Sequence, residues 1–376
     1  MTFQERPQVV VLFGGQSGEH QISCATAGGV LRAIDEDKWR TLAVGITPDG
    51  QWVPMSAEPE EYDLTDTGGY TVPLGGRRVA FLPGSPTLVE YEVDEDGATL
   101  PGTTVEVGKV DVVFPLLHGP FGEDGTVQGL FELSDVRYVG CGVASSAVAQ
   151  DKYLAKTVLA AAGIDVGQWV SFTKREWEVN QDSLQSEVGD LGYPVFVKPT
   201  RAGSSLGITK VSSPEDLPAA VAEAMRHDPR VIVEAGVQGR ELECGVLGLA
   251  GGEVVASSIG EIKVLEEAGF YDYATKYFDA DSVVLDCPAD LPAGVAKRIQ
   301  TQAKRAFAAL EGEGISRVDF FYNEDDDRIV LNEVNTMPGF TPFSMYPTMF
   351  ADSGVPYSAL VDNLLREALS RPLGLR

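Results

Sequence analysis

The chain opens with an unbroken apolar run, Gln8-Val9-Val10-Val11-Leu12-Phe13, which stops at Gly14-Gly15-Gln16-Ser17-Gly18-Glu19-His20. A helical pattern from about Ser23 to Ile34 follows, then a second β-rich run from about Arg40 to Ile46. Strand, Gly-rich turn, helix and strand begin a doubly wound α/β layer, whose ligands bind beyond the C-terminal ends of the strands. Glu19 and His20 stand at such an end. Between residues 47 and 108 the pattern loosens into Gly, Pro and acids with short alternating pieces such as Arg78-Val79-Ala80-Phe81-Leu82, which predicts an insertion of hairpins and loops. The α/β pattern resumes at Val110–Leu117 and ends in His118-Gly119-Pro120-Phe121-Gly122-Glu123-Asp124-Gly125. A short strand Tyr138-Val139-Gly140 leads to Ser145, read as an N-cap, and to a helix running through Asp151-Lys152.

A second unit begins with a helix over Asp151–Ala162 and strands at Gln168–Phe172, Pro194–Lys198 and Val231–Glu234. A third shows strands near Leu242–Leu249 and Glu253–Ser258, a long loop around 265–285, and a helix over Pro292–Leu310. The hairpin Arg317–Tyr322/Arg328–Asn335 and a terminal helix Tyr357–Ser370 complete it. The expected domains are 1–150, with the insertion at about 47–108, then 151–236 and 237–376.

At 376 residues the chain is long enough for two or three domains of about 100–200 residues each. It can build its cores without disulfides or a structural metal. Asp and Glu number 56 against 29 Lys and Arg, a net charge of −27 that repels nucleic-acid phosphates and anionic membranes alike. Cys24, Cys141, Cys244 and Cys287 lie far apart with no C-x-x-C pair, which suits reduced thiols rather than a zinc site or disulfide framework. The N-terminal residues lack the basic-then-apolar build of a signal peptide, and no apolar run approaches the ~20 residues that span a bilayer. A soluble, cytoplasmic protein is expected.

Lys198-Pro199-Thr200-Arg201-Ala202-Gly203-Ser204-Ser205-Leu206-Gly207-Ile208 lies between two short strands. Its backbone N–H groups and hydroxyls can fold over phosphate oxygens, with Lys198 adding positive charge; an ordinary hairpin turn is the alternative. The run is not a Walker A sequence, and neither Gly14–Gly18 nor Gly140-Cys141-Gly142 has dinucleotide-fingerprint spacing. In the late hairpin, Arg317 and Asp319 point to the same side of their strand, as do Glu333 and Asn335 of theirs. The acidic tip Asn323–Asp327 makes the turn, which brings Asp319 roughly opposite residues 331–333. Two carboxylates, an amide oxygen and a guanidinium then gather on one face, a donor set suited to Mg²⁺ beside nucleotide phosphates. Surface pairing of Arg317 with Asp319 is the alternative, and Glu324–Asp327 read as a solvated turn. Gly269-Phe270-Tyr271-Asp272-Tyr273-Ala274-Thr275-Lys276-Tyr277 packs aromatics into a loop as an active-site lid does, with Lys276 either solvated or reaching a phosphate.

On these residues the chain resembles the ATP-grasp superfamily and, within it, the D-alanine–D-alanine ligase family over nearly its whole length. The resemblance is carried by Gly14–His20, by His118-Gly119 with Gly122-Glu123-Asp124-Gly125, by Lys198–Gly207, by Tyr271-Asp272-Tyr273 with Lys276-Tyr277, and by Arg317–Ser344. It implies an α/β ATP-grasp fold: an N-terminal doubly wound α/β domain and two α+β domains that enclose ATP. It implies that Lys152 and Lys198 contact ATP phosphates, that Ser204 and Ser205 lie in the loop closing over them, and that Lys276 joins that clamp. Glu234 and the backbone through Val237 would lie at adenine and Glu241 at the ribose. Asp319, Glu333 and Asn335 would hold two Mg²⁺ or Mn²⁺ ions. Glu19 would receive the ammonium of the first D-alanine, with His118 nearby. Arg317 and the N–H of Gly339 would face the oxyanion, and Tyr277, Ser204 and Ser344 would position the second D-alanine.

The implied reaction makes D-alanyl-D-alanine for peptidoglycan precursors: ATP phosphorylates one carboxylate, and the second amine attacks the acyl-phosphate. A homodimer and a monovalent-cation activator belong to the same resemblance. Two departures are the insertion at 47–108, shared with longer members, and Gln21 after His20, where charged or small residues are common. A related ligase making D-alanyl-D-lactate or D-alanyl-D-serine is one alternative, with Tyr277 against lactate. A catalytically inert nucleotide-binding protein on the same fold is another, against which stands the intact set Lys198, Lys276, Arg317, Asp319, Glu333 and Asn335.

Overall fold

A computed structural model describes residues 6–62, 69–203, 206–264 and 283–374. The first run becomes β1 (Gln8–Gly14), followed by the helix His20–Ala33, β2 (Arg40–Ile46) and β3 (Trp52–Met55). Val9 through Phe13 are wholly buried, as an unbroken apolar strand must be when a sheet is covered on both faces. The helix starts three residues before the expected Ser23. The Ser23 hydroxyl accepts from Gly14 N–H at 2.8 Å and donates to the Leu116 carbonyl, tying the end of β1 to the chain just past Pro115.

Within the expected insertion, β3 pairs antiparallel with β2 and so belongs to the first sheet. The remaining strands, β4 (Arg77–Leu82), β5 (Ser85–Glu92) and β6 (Val105–Lys109), form a separate three-stranded antiparallel sheet. β7 (Val112–Pro115) and β8 (Arg137–Tyr138) then complete the first sheet in the order β3-β2-β1-β7-β8, parallel from β2 to β8.

Ser145 is not a cap. It lies inside the helix Val143–Gln150, whose N-cap is Gly142. Nor does that helix run through Asp151-Lys152: Asp151 leaves the helical conformation and caps a second helix, Lys152–Ala161, by accepting from Tyr153 N–H at 3.0 Å and Leu154 N–H at 3.1 Å.

β9 (Trp169–Thr173), β10 (Val195–Pro199), β11 (Thr209–Val211) and β12 (Arg230–Ala235) form a four-stranded antiparallel sheet in the order β11-β10-β12-β9. Its helices Lys174–Asp190 and Leu217–Ala224 escaped the reading of the sequence. The first buries only Trp177, Leu184 and Val188, too sparse a stripe to read from periodicity, although Thr173 and Glu176 form a reciprocal capping box.

β13 (Arg240–Gly248), β14 (Val254–Val264), β15 (Val283–Asp286), β16 (Ile315–Asn323) and β17 (Arg328–Asn335) make a five-stranded antiparallel sheet, ordered β15-β14-β13-β16-β17. β15 lies where a loop was expected; Val284 and Leu285 are both exposed on this edge strand, so no alternation announced it. The helices Val295–Ala309, Met345–Asp352 and Tyr357–Ser370 complete the chain, the middle one also unread.

The terminal helix returns to the first sheet. Leu360, Val361, Leu364 and Leu365 pack in one core with Val9, Val11, Phe13 and Phe114. Beyond it, buried Arg371 donates to the Gly140 carbonyl at 2.7 Å and to Glu367. These contacts fix the C-terminal ends of β1 and β7 beside the β13–β16–β17 face, where the polar residues collect.

Candidate active site

A cavity of about 420 Å³ opens where the three larger sheets meet. Glu19, His118 and Glu123 line it from the first sheet's loops; Lys152, Lys156, Lys198 and Glu234 from the second unit; Val237, Glu241, Glu243, Arg317, Asp319, Glu333, Asn335 and Gly339 from the third. Every expected site residue in the described region reaches this cavity except Ser344. Ser344 sits behind it, its Oγ accepting from Thr341 N–H at 3.1 Å and standing 3.3 Å from where a Cβ on Gly339 would lie. Ser204, Ser205, Lys276 and Tyr277 lie outside the described residues.

The lysines are held by opposite charge and by carbonyls. Lys198 Nζ donates to Glu234 Oε2 at 2.8 Å, and Lys156 Nζ lies 3.5 Å from the other oxygen while donating to the Val166 carbonyl at 2.6 Å. Lys152 Nζ donates to the Ala202 carbonyl at 2.7 Å. Burial alone would raise the Glu234 carboxyl, but Lys198 and Lys156 outweigh it and hold it down at about 2. Burial likewise works against Lys198, yet Glu234 keeps its ammonium above the ordinary lysine value; Lys152 and Lys156 are pushed below it by burial. Lys152 and Lys156 are one helical turn apart on the same face, so a cation pair was legible in their spacing. Lys156 was missed.

On the late hairpin, Asp319 stands opposite Glu333 and Arg317 opposite Asn335. The register shifts directly after Asp319, where Phe320 pairs with Leu331 and Asn332 becomes the extra residue of a bulge. Asn335 Nδ2 donates to Asp319 Oδ2 at 2.9 Å. The Arg317–Asp319 pair forms, but it is no surface pair: Arg317 is 8% exposed and also meets Glu243 at 3.1 Å. Burial opposes the Arg317 charge, but Asp319 and Glu243 overcome it and raise its pKa well above the ordinary arginine value. Glu241 moves the other way: burial, then repulsion from Asp319 and Glu333, raises its carboxyl. Glu243, two residues on from Glu241 along β13, escaped the sequence reading, although the shared strand face was a usable signal.

Asp319, Glu333 and Asn335 supply two carboxylates and an amide on one wall of the cavity. That is the hard-oxygen chemistry a divalent cation takes, and the residues present fit one. The hairpin tip Glu324–Asp327 is exposed, as expected of a solvated turn. Its acids still make surface pairs: Glu324 meets Arg240 at 2.7 Å, and Asp327 accepts from Arg298 at 2.8 Å and from the Tyr322 hydroxyl at 3.0 Å.

At the first sheet's end, Glu19 precedes the helix His20–Ala33 and turns its carboxylate toward Gly119, where a Cβ would lie 3.9 Å from Oε2. Two contacts cross to the third unit. His118 Nδ1 lies 3.1 Å from the Met337 carbonyl, and Glu123 accepts from Gly119 N–H at 2.7 Å and from Met337 N–H at 3.2 Å. Both backbone groups of Met337 are thereby held by one loop, two residues from Asn335 and two from Gly339.

The family model described as the D-ala D-ala ligase N-terminus matches residues 8–141, and that of the D-ala D-ala ligase C-terminus matches residues 158–366. The chain belongs to the D-alanine–D-alanine ligase family. Among curated relatives, the D-alanine--D-alanine ligase of Kineococcus radiotolerans is 52% identical over the whole of both chains. That of Kocuria rhizophila is 49% identical, over 99% of this chain and 96% of its own. Among solved structures, the VanG D-Ala:D-Ser ligase from Enterococcus faecalis superposes with a TM-score of 0.79 at 35% identity, covering 97% of this chain and all of that one. The D-alanine-D-alanine ligase from Coxiella burnetii gives 0.77 at 33% identity, covering 97% of this chain and 94% of its own. The fold is therefore ATP-grasp, with the second and third sheets facing each other across the cavity. The family uses ATP, and the ATP-grasp fold implies a divalent metal.

Proposed function

We propose that the chain joins two molecules of D-alanine at the expense of ATP, through a D-alanyl-phosphate, releasing ADP and phosphate and supplying D-alanyl-D-alanine for peptidoglycan precursors. The observation that carries this reading is the make-up of the cavity where the three larger sheets meet. That cavity collects an acidic group at Glu19, buried cations at Lys152 and Lys198, oxygen donors at Asp319, Glu333 and Asn335, and a buried guanidinium at Arg317. The same reading takes the enzyme as cytoplasmic, a compartment that supplies ATP, and divides the chain near residues 150 and 236.

Each group has work that its charge suits. Glu19 binds the ammonium of the first D-alanine and so aims its carboxylate into the cavity. Lys198 leaves Glu234 for the phosphates of the nucleotide, while Lys156 stays as the counter-charge of Glu234 beside adenine. Val237 lies along the base, and Glu241 takes the ribose hydroxyls. A divalent cation, Mg²⁺ or Mn²⁺, held by Asp319, Glu333 and Asn335, neutralises phosphate charge when bound.

When the second amine attacks the acyl-phosphate, the carbonyl oxygen becomes an oxyanion, faced by Arg317 and the Gly339 N–H. Tyr277, Ser204 and Ser344 position the second D-alanine, and Ser204, Ser205 and Lys276 serve the phosphates. No side chain of the enzyme forms a covalent bond to substrate. The test is isotopic: D-alanine labelled with ¹⁸O in its carboxyl group must pass label into the released phosphate. Unlabelled phosphate would show that the carboxylate never attacked phosphorus.

A further inference from the structure

His20 follows Glu19 directly, is 7% exposed, and does not line the cavity. Its Nδ1 lies 2.7 Å from the Gly15 carbonyl, which can only accept, so Nδ1 carries the proton. Nε2 is then an acceptor, and it receives the N–H of Val72 at 3.1 Å, from 52 residues further along the chain. A neutral imidazole thus joins the Gly-rich loop carrying Glu19 to the segment between β3 and β4.

Val72 is 2% exposed and seated against glycines. A Cβ on Gly14 would come within 3.0 Å of its Cγ2 and 3.1 Å of His20 Cε1, and one on Gly45 within 2.7 Å of its Cγ1. Beside it, wholly buried Tyr62 packs edge-on against Phe13 at 4.9 Å and against Tyr70 at 5.1 Å. Tyr62 and Val72 share one core with Phe13. This end of the insertion is therefore built into the wall behind the Glu19 loop.

That loop needs such a wall. Gly14 and Gly15 both hold positive φ, +91° and +96°, and glycine loses more conformational freedom on ordering than any other residue. An anchor that fixes the loop before substrate arrives lowers the cost of binding. We infer that the segment around Tyr62, Tyr70 and Val72 preorganises the first D-alanine site, and that His20 is the positioning residue coupling it to Glu19. The inference rests on the proposed role of Glu19.

The test uses the full-length chain. His20→Asn keeps a donor for Gly15 but loses the reach to Val72; His20→Gln offers an oxygen to Val72 and no donor to Gly15. Val72→Ala removes the methyl groups packed on Gly14 and Gly45 while leaving the N–H. Phosphate release across D-alanine concentration is fitted to sequential binding of two D-alanines, with a KM for each site. All three variants should raise the first-site KM by about tenfold, the scale of one lost hydrogen bond or of the lost methyl packing. The KM for ATP should not move. Unchanged first-site KM in all three, or equal losses for every substrate accompanied by a lowered melting temperature, would overturn the coupling. Glu19→Gln is measured alongside. If it leaves the first-site KM unchanged, the assignment of Glu19 fails and the coupling with it. If it raises that KM while the other variants do not, only the coupling fails.

Discussion

The guanidinium of Arg317 grips Asp319 through two contacts of 2.7 Å, Nε to Oδ1 and Nη2 to Oδ2. An oxyanion-facing cation and a proposed metal ligand thus neutralise each other, with Glu243 as a further partner. A bound divalent cation must compete with Arg317 for Asp319. Removing one partner of a buried pair leaves an uncompensated charge, at a cost of about 3–5 kcal/mol. Arg317→Met should lower unfolding stability in denaturant by that order. Mn²⁺ should then raise the melting temperature of the variant more than that of the parent, because the cation replaces the lost charge. Equal Mn²⁺ responses in the two proteins would refute competition at Asp319.

Glu333 tests the donor set without disturbing that pair. Glu333→Gln keeps the shape and removes one charge from the cavity wall. Turnover with MgATP should fall at least about a hundredfold, the scale of losing one electrostatic stabiliser of a transition state. Near-normal turnover would remove Glu333 from the metal site.

The Lys198–Glu234–Lys156 array predicts an acid-labile component of stability. Glu234 has its carboxyl lowered from 4.5 to about 2 in the folded chain. A depressed carboxyl contributes stability that is fully present above its unfolded value and is lost as pH falls toward the folded one. The parent should therefore lose stability between about pH 4.5 and pH 2 through this group, by on the order of 2–4 kcal/mol. Glu234→Gln should lack that component, so the two urea-unfolding curves should converge as pH falls through this window. A constant gap between parent and variant across the window would show that Glu234 is not held ionised by its lysines.

The sequence showed most where a single element carries the chemistry. The hairpin was legible because Arg317, Asp319, Glu333 and Asn335 alternate on strands around an acidic turn, and its pairing of Asp319 with Glu333 fell within the expected range. The bulge at Asn332 that sets the register was not legible, because no local residue demands it. Lys156 and Glu243 stood at helical and strand spacing from residues already singled out, and their burial, which makes them matter, is a tertiary fact. The same holds for the terminal helix. Its span Tyr357–Ser370 was read from its pattern, but its packing on the first sheet and the reach of Arg371 to Gly140 depend on the whole fold.

Glu123 supports the last prediction. Its carboxylate accepts from Gly119 N–H at 2.7 Å and Met337 N–H at 3.2 Å, one donor on each side of the cavity. Gln at this position still offers one carbonyl oxygen, but its NH₂ would face the other N–H, so one of the two bonds is lost and a donor is left against a donor. Hydrogen bonds to a charged group are worth about 1.5–3 kcal/mol, roughly ten- to a hundredfold in a rate ratio. Met337 lies between Asn335 and Gly339, so slack there should misplace the oxyanion donor relative to Glu19. Glu234 and Val237, on and beside β12, do not depend on this loop. Glu123→Gln should thus lower kcat/KM for D-alanine ten- to a hundredfold, with the KM for ATP unchanged. Glu123→Asp retains the charge but shortens the reach, and should recover part of the loss only if charge, rather than span, holds Met337. A parallel rise in the KM for ATP would mean that Glu123 supports the fold at large instead of joining the two sides of the site.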